Sequence, residues 1–224
     1  MNKIKLKGKI MPLATNENLK NQIENKINLL SQIATINKAL ILTETDLQCQ
    51  LYMKLNEIEE LNQLSLTDDG FMTNKIHTEI SWFDEQNILS IRPDITLLES
   101  QNLKITSGFD GLRLPSKGFH SVDGGIIFEL KFDRQLNRIS EKRTMEGIFK
   151  DIRNFKLIYD RFQNNGMSEQ IYGYFVLFIK SSENHINMQK INRIQNELII
   201  RDLDETKCKF IYHFIGVNNN NAIL

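Results

Sequence analysis

The chain has 224 residues, of which 41% are hydrophobic and 25% charged, and 28 Lys/Arg balance 28 Asp/Glu to a formal net charge of zero. These values fit a globular protein with one sizeable core and exclude a collagen-like, disordered or globally polybasic chain. No stretch approaches the roughly eighteen apolar residues of a membrane span.

Two cysteines, Cys49 and Cys208, lie far apart and suggest neither a disulfide framework nor a zinc site. The first residues, MNKIKLKGKIMPL, are basic but lack a continuous apolar core and a small-residue cleavage site. The expected setting is reducing and cytoplasmic, with no membrane partner. Charge is uneven along the chain. Residues 44–69 carry seven acidic groups against Lys54 alone, and residues 131–161 carry nine Lys/Arg against five Asp/Glu. A local basic face can bind phosphates, so the neutral total leaves DNA open as a partner.

In chain order, Leu19, Ile23, Ile27, Leu30 and Ile33 recur at helical steps and predict an amphipathic helix over 17–39. Thr43 opens a second helix with Asp46 three residues on, a capping-box variant. The apolar stripe of that helix is Leu47, Leu51, Leu55 and Ile58, and Cys49 inside it is expected in the core. Thr67-Asp68-Asp69-Gly70 reads as a turn. The period then drops to two: 76–82 and 88–98 are expected as consecutive strands joined by a short polar turn.

Residues 99–124 hold four glycines, with Gly125 directly after, and Pro115, and read as a long functional loop. A strand is expected at 126–132 and a helix at 141–163. Residues 171–180 (IYGYFVLFIK) predict a strand apolar on both faces, hence central. A helix at 186–200, a strand at 208–215 and an Asn-rich tail complete the order. No Pro/Gly/Ser-rich linker divides the chain, so a single α/β domain is expected.

Two segments carry chemistry: Arg92-Pro93-Asp94 within ILSIRPDITLL, and Glu129-Leu130-Lys131 within GGIIFELKFD. Each sets ionisable groups inside an apolar, β-branched run, where a charge is costly unless paired or metal-bound. The triplet E-x-K alone means little, since Glu24-Asn25-Lys26 and Glu205-Thr206-Lys207 also occur, both in polar surroundings. Strand alternation puts Ile127, Glu129, Lys131 and Asp133 on one face, and Arg92, Asp94 and Thr96 on one face of the preceding strand. If the strands are neighbours, Asp94 lies beside Glu129 and Lys131. The two carboxylates then raise each other's pKa unless a cation sits between them. A structural Glu–Lys or Arg–Asp pair at a sheet edge is the alternative.

Glu44 and Gln48 fall on the apolar stripe of the second helix and are expected to point coreward. A Glu in a first helical turn is, however, favoured by the macrodipole alone. The polar side of the 141–163 helix, with Arg143, Glu146, Lys150, Arg153, Asn154 and Arg161, fits a phosphate backbone or simply a solvated face. His77 and Glu79 share a strand face and either border the site or are structural.

The pattern resembles the PD-(D/E)XK nuclease superfamily. Pro93-Asp94 matches the first half of its signature and Glu129-Leu130-Lys131 the second, 129 − 94 = 35 positions apart. ETDLQCQLY, with Glu44 and Gln48, resembles the family's N-terminal helix, and the helix with Lys150 resembles the one after its lysine strand. The resemblance implies a restriction-endonuclease-like αβββαβ core over 43–180, with a mixed central sheet flanked by helices. Residues 1–42 would be a helical extension and 181–224 an added α–β unit.

It further implies Mg²⁺, with Mn²⁺ as a substitute, on Asp94, Glu129, the Leu130 carbonyl and Glu44. Lys131 and Gln48 would assist catalysis. DNA would be contacted by Arg143, Lys150 and Arg153, and by Arg113 and Lys117 of the 99–124 loop. The implied activity is a DNA endonuclease of restriction or defence type, acting as a homodimer. A partner-dependent or non-catalytic subunit and a structure-specific repair or recombination nuclease are the alternatives.

Overall fold

Thr43 starts the element that aims the first candidate side chains. Its hydroxyl accepts from the Asp46 N–H at 3.0 Å, and the Asp46 carboxylate accepts from the Thr43 N–H at 2.9 Å. This reciprocal capping box satisfies two donors that a helix start otherwise leaves orphaned. The computed structural model describes residues 12–83, 89–105, 119–121, 124–134, 138–181, 183 and 185–216.

The helices are α1 (Glu17–Ile36), α2 (Glu44–Leu55), the short α3 (Glu59–Asn62), α4 (Arg138–Asn164) and α5 (His185–Ile200). The strands are β1 (Ser65–Leu66), β2 (Met72–Thr73), β3 (Ile76–Thr78), β4 (Trp82–Phe83), β5 (Leu89–Ile91), β6 (Ile95–Leu98), β7 (Leu103–Ile105), β8 (Phe119–Ser121), β9 (Gly125–Asp133), β10 (Tyr172–Ile179) and β11 (Cys208–Phe214).

Five strands form the central mixed sheet in the order β11-β10-β9-β6-β3. β6 is antiparallel to both β3 and β9, whereas β9, β10 and β11 run parallel. Parallel neighbours need crossovers, which α4 and α5 supply. One face of the sheet buries Phe128, Leu130, Tyr174 and Val176 against Ile23, Ile27 and Leu30 of α1 and Leu47 and Leu51 of α2. The other buries Ile127, Phe175 and Leu177 against Ile148, Ile152 and Phe155 of α4 and Ile191 and Ile194 of α5. The protein is thus an α/β sandwich with helices on both sides of a mixed sheet. β10 is buried along its whole length, as its two-sided apolar sequence predicts.

Several boundaries differ from expectation. The expected strands 76–82 and 88–98 are each broken in two. β3 pairs with β6 in the main sheet, while β4 and β5 form a separate two-stranded sheet. Glu79, at φ 53°, ends β3 in a left-handed turn. Pro93, which has no N–H to donate, falls between β5 and β6. Part of the expected 99–124 loop is regular, because β7 and β8 pair antiparallel. Cys49 is exposed rather than in the core. Among the described residues, no helix is long and apolar enough to cross a membrane.

Candidate active site

The side chains of β9 alternate as its sequence requires, so Glu129 and Lys131 face α4 while Phe128 and Leu130 face α2. In the β6–β9 register Ile95 lies opposite Phe128 and Thr96 opposite Ile127. One step further along that register sets Asp94 opposite Glu129. The break at Pro93 leaves Asp94 just outside the ladder, where its Oδ2 accepts from the Leu130 N–H at 2.7 Å. From α2, Gln48 Nε2 donates to the Asp94 carbonyl at 2.6 Å, tying the helix to this turn.

Lys131 is the only cation at the centre of this group among the described residues. Its Nζ lies 3.3 Å from Glu44 Oε1 and 3.2 Å from Asp151 Oδ2, bridging α2 and α4. Four carboxylates, Asp94, Glu129, Glu44 and Asp151, act on one another around one ammonium. If all were ionised the cluster would carry a net charge of −4 + 1 = −3, an excess that needs protons or another cation.

The electrostatics follow from that imbalance. Burial pushes the Asp94 carboxyl up to about 6; the Leu130 N–H and Lys131 oppose this, and Glu44 and Asp151 reinforce it. Burial also raises Glu129 well above the ordinary carboxylate range, with Asp151, Asp94 and Glu44 adding to it against Lys131. For Lys131, burial alone favours the neutral amine, but Asp151, Glu44, Glu129 and Asp94 outweigh it and hold the proton more firmly than usual. Glu129 is 6% exposed, and its Oε1 is buried without a hydrogen-bond partner among the described residues. Such an orphaned oxygen costs about 1–3 kcal/mol unless something binds it. Glu129 and Lys131 share a pocket with Ile148 and Asp151 of α4, Phe175 to Leu177 of β10 and Phe210 of β11.

The structure brings Asp94, Glu129, Lys131, Glu44 and Gln48 together, with one correction. Glu44 does not point into the core: its side chain is 44% exposed, since the first helical residue after Thr43 sits at the rim of the sheet. Asp151 was missed because it lies in a basic helix. Its signal was positional, three residues after Ile148 and four before Phe155, which puts a carboxylate on the sheet-facing stripe.

Lys150 and Arg153 are exposed on α4. Arg143 falls within α4 with its side chain outside the description, and Arg113 and Lys117 lie outside the described residues. His77 stands across from Thr96 in the edge strand, with its pKa lowered by burial. Glu79 is exposed.

The donor set suits a hard divalent cation: carboxylate oxygens in excess charge, one of them orphaned. As the side chains stand, no three His, Cys, Asp or Glu groups among the described residues are gathered tightly enough to hold one. Lys131 occupies the space between Glu44 and Asp151, so a metal would have to sit on the Asp94–Glu129 side. No family model, curated protein or solved structure matches the chain.

Proposed function

We propose that the protein is a Mg²⁺-dependent DNA endonuclease with a restriction-endonuclease-like core, acting in restriction or defence. The observation that carries this reading is Asp94, just before β6 and bound through its Oδ2 to the Leu130 N–H of β9, beside Glu129, whose Oε1 has no hydrogen-bond partner among the described residues, with Lys131 two residues on along the same face of β9. The order of α2, β3, β6, β9, α4 and β10 and the Pro-Asp…Glu-Leu-Lys signature support the same reading.

In this reading Asp94, Glu129 and the Leu130 carbonyl would hold the ion, with Glu44 at the rim as a further candidate, and Mn²⁺ would substitute. Bound there, the metal would lower the pKa of a coordinated water and stabilise charge on the scissile phosphate. The protein's own groups do the rest. Gln48 and the Leu130 N–H fix Asp94 by its carbonyl and its carboxylate, one from each side. Lys131, kept protonated by the surrounding carboxylates, can shift from Glu44 or Asp151 to a phosphate oxygen and offset the charge that builds there. Lys150, Arg153 and Arg143 would contact the DNA backbone. Double-strand cleavage requires two sites, so a homodimer is the simplest assembly.

The test is plasmid cleavage by the purified protein in Mg²⁺, Mn²⁺ and EDTA. Cleavage in either metal, absent in EDTA and in Asp94→Ala and Glu129→Ala, is the expected result. Cleavage in EDTA, or full activity of either variant, would refute the site.

A second reading rests on the Lys131 bridge, which already joins Glu44 and Asp151 without a metal. A non-catalytic or partner-dependent subunit on the same fold would keep that bridge closed. No cleavage by the isolated protein in any metal would favour it.

A further inference from the structure

Gly147 stands in the interior of α4, where glycine is a poor choice. It costs helix stability through the freedom it loses on folding, and such a position normally has a packing or functional reason. Packing among the described residues gives none. A β-carbon at Gly147 would meet no heavy atom within 4 Å beyond its chain neighbours and its own helix backbone among the described residues, and its φ is not positive, so its backbone does not require glycine. Gly173 shows the contrast: a β-carbon there would lie 2.8 Å from the Phe155 ring.

The position of Gly147 supplies the other reason. It precedes Lys150 by three residues and Asp151 by four, so all three are neighbours on one flank of the helix. Asp151 reaches Lys131 at 3.2 Å and lines the pocket that contains Glu129. The bare patch therefore lies one helical turn before Asp151, beside the exposed Lys150. Within the cluster Glu129, nine-tenths buried, keeps an unpartnered oxygen.

We infer that Gly147 is a steric opening through which a phosphodiester strand is laid against the α4 backbone on its way to the cluster, a deepening that rests on the nuclease reading above. A side chain on this flank would stand between the strand and Asp151. Glycine lets the phosphate and sugar approach to backbone contact, with Lys150 one turn away to meet the charge. Gly147 is a positioning residue, setting how closely the substrate approaches.

The experiment compares wild type with Gly147→Ala and Gly147→Leu in three measurements: melting temperature, anisotropy of a labelled DNA duplex in Ca²⁺, and cleavage in Mg²⁺. Both variants should be more stable, Gly147→Ala by about 2–4 °C, because both residues favour the helix. Yet Gly147→Ala should bind DNA about tenfold more weakly, and Gly147→Leu more weakly still, as the added atoms overfill the contact. Higher stability with graded loss of binding supports the inference, because a merely structural glycine would not separate the two. Variants that bind and cleave like an active wild type overturn the inference and leave the nuclease reading intact. A wild type that neither binds nor cleaves DNA overturns both.

Discussion

Replacing Asp94 by Asn should stabilise the metal-free protein while removing its activity. Burial first, and its carboxylate neighbours next, push the Asp94 carboxyl from an ordinary 3.8 up to about 6. At roughly 1.36 kcal/mol per unit, ionising it at neutral pH costs the fold at most about 3 kcal/mol. Solvent screening of a half-buried carboxyl reduces that to about 1–2 kcal/mol. The folded protein holds the Asp94 proton more tightly than the unfolded chain. The contribution of this group is therefore favourable below about pH 4 and is lost as pH rises through 6.

Asn cannot ionise, and its amide oxygen can still accept from the Leu130 N–H. Thermal melts in EDTA across pH 4–8 should show Asp94→Asn close to wild type at pH 4 and about 2–8 °C more stable at pH 8. Mg²⁺ at pH 8 should then raise the wild-type melting temperature but not that of the variant, because ligand binding to the native state stabilises it. A variant less stable than wild type at pH 8, or a difference that does not change with pH, would refute the reasoning.

Three further outcomes follow from the same geometry. Lys131→Ala should lower turnover more than Mg²⁺ affinity, and a calorimetric titration in which affinity falls as far as turnover would contradict this. The triple change of Arg143, Lys150 and Arg153 to Ala should weaken DNA binding and flatten its salt dependence; an unchanged slope removes that face from the interface. Gly173→Ala should destabilise the fold by about 1–3 kcal/mol in urea denaturation, since the new methyl would meet Phe155 at 2.8 Å; a neutral effect would mean that α4 moves aside freely.

The parts of the site that local physics decides were readable in the sequence. Thr43 and Asp46 cap α2 as their spacing predicts, and the two-residue period of β9 puts Glu129 and Lys131 on one face. The pairing of β6 with β9 needed the fold, but alternation alone fixed which side chains could meet once it formed. What was not legible depended on where elements break and how far they reach. Pro93 splits a run that is otherwise strand-like, and that break frees Asp94 to accept from Leu130 instead of continuing the ladder. Glu44 shares a stripe with Leu47 yet stays half in solvent, because a helix stripe does not say where the sheet ends. Asp151 was hidden by the basic residues around it, although its register with Ile148 and Phe155 places it toward the sheet.

The most direct test of the central claim is anomalous diffraction from crystals soaked in Mn²⁺. A strong peak within coordination distance of Asp94 and Glu129, with Glu129 Oε1 now bound, is the result the metal-nuclease reading predicts. A fully soaked crystal with no peak at that position, and Lys131 still bridging Glu44 and Asp151, would contradict it.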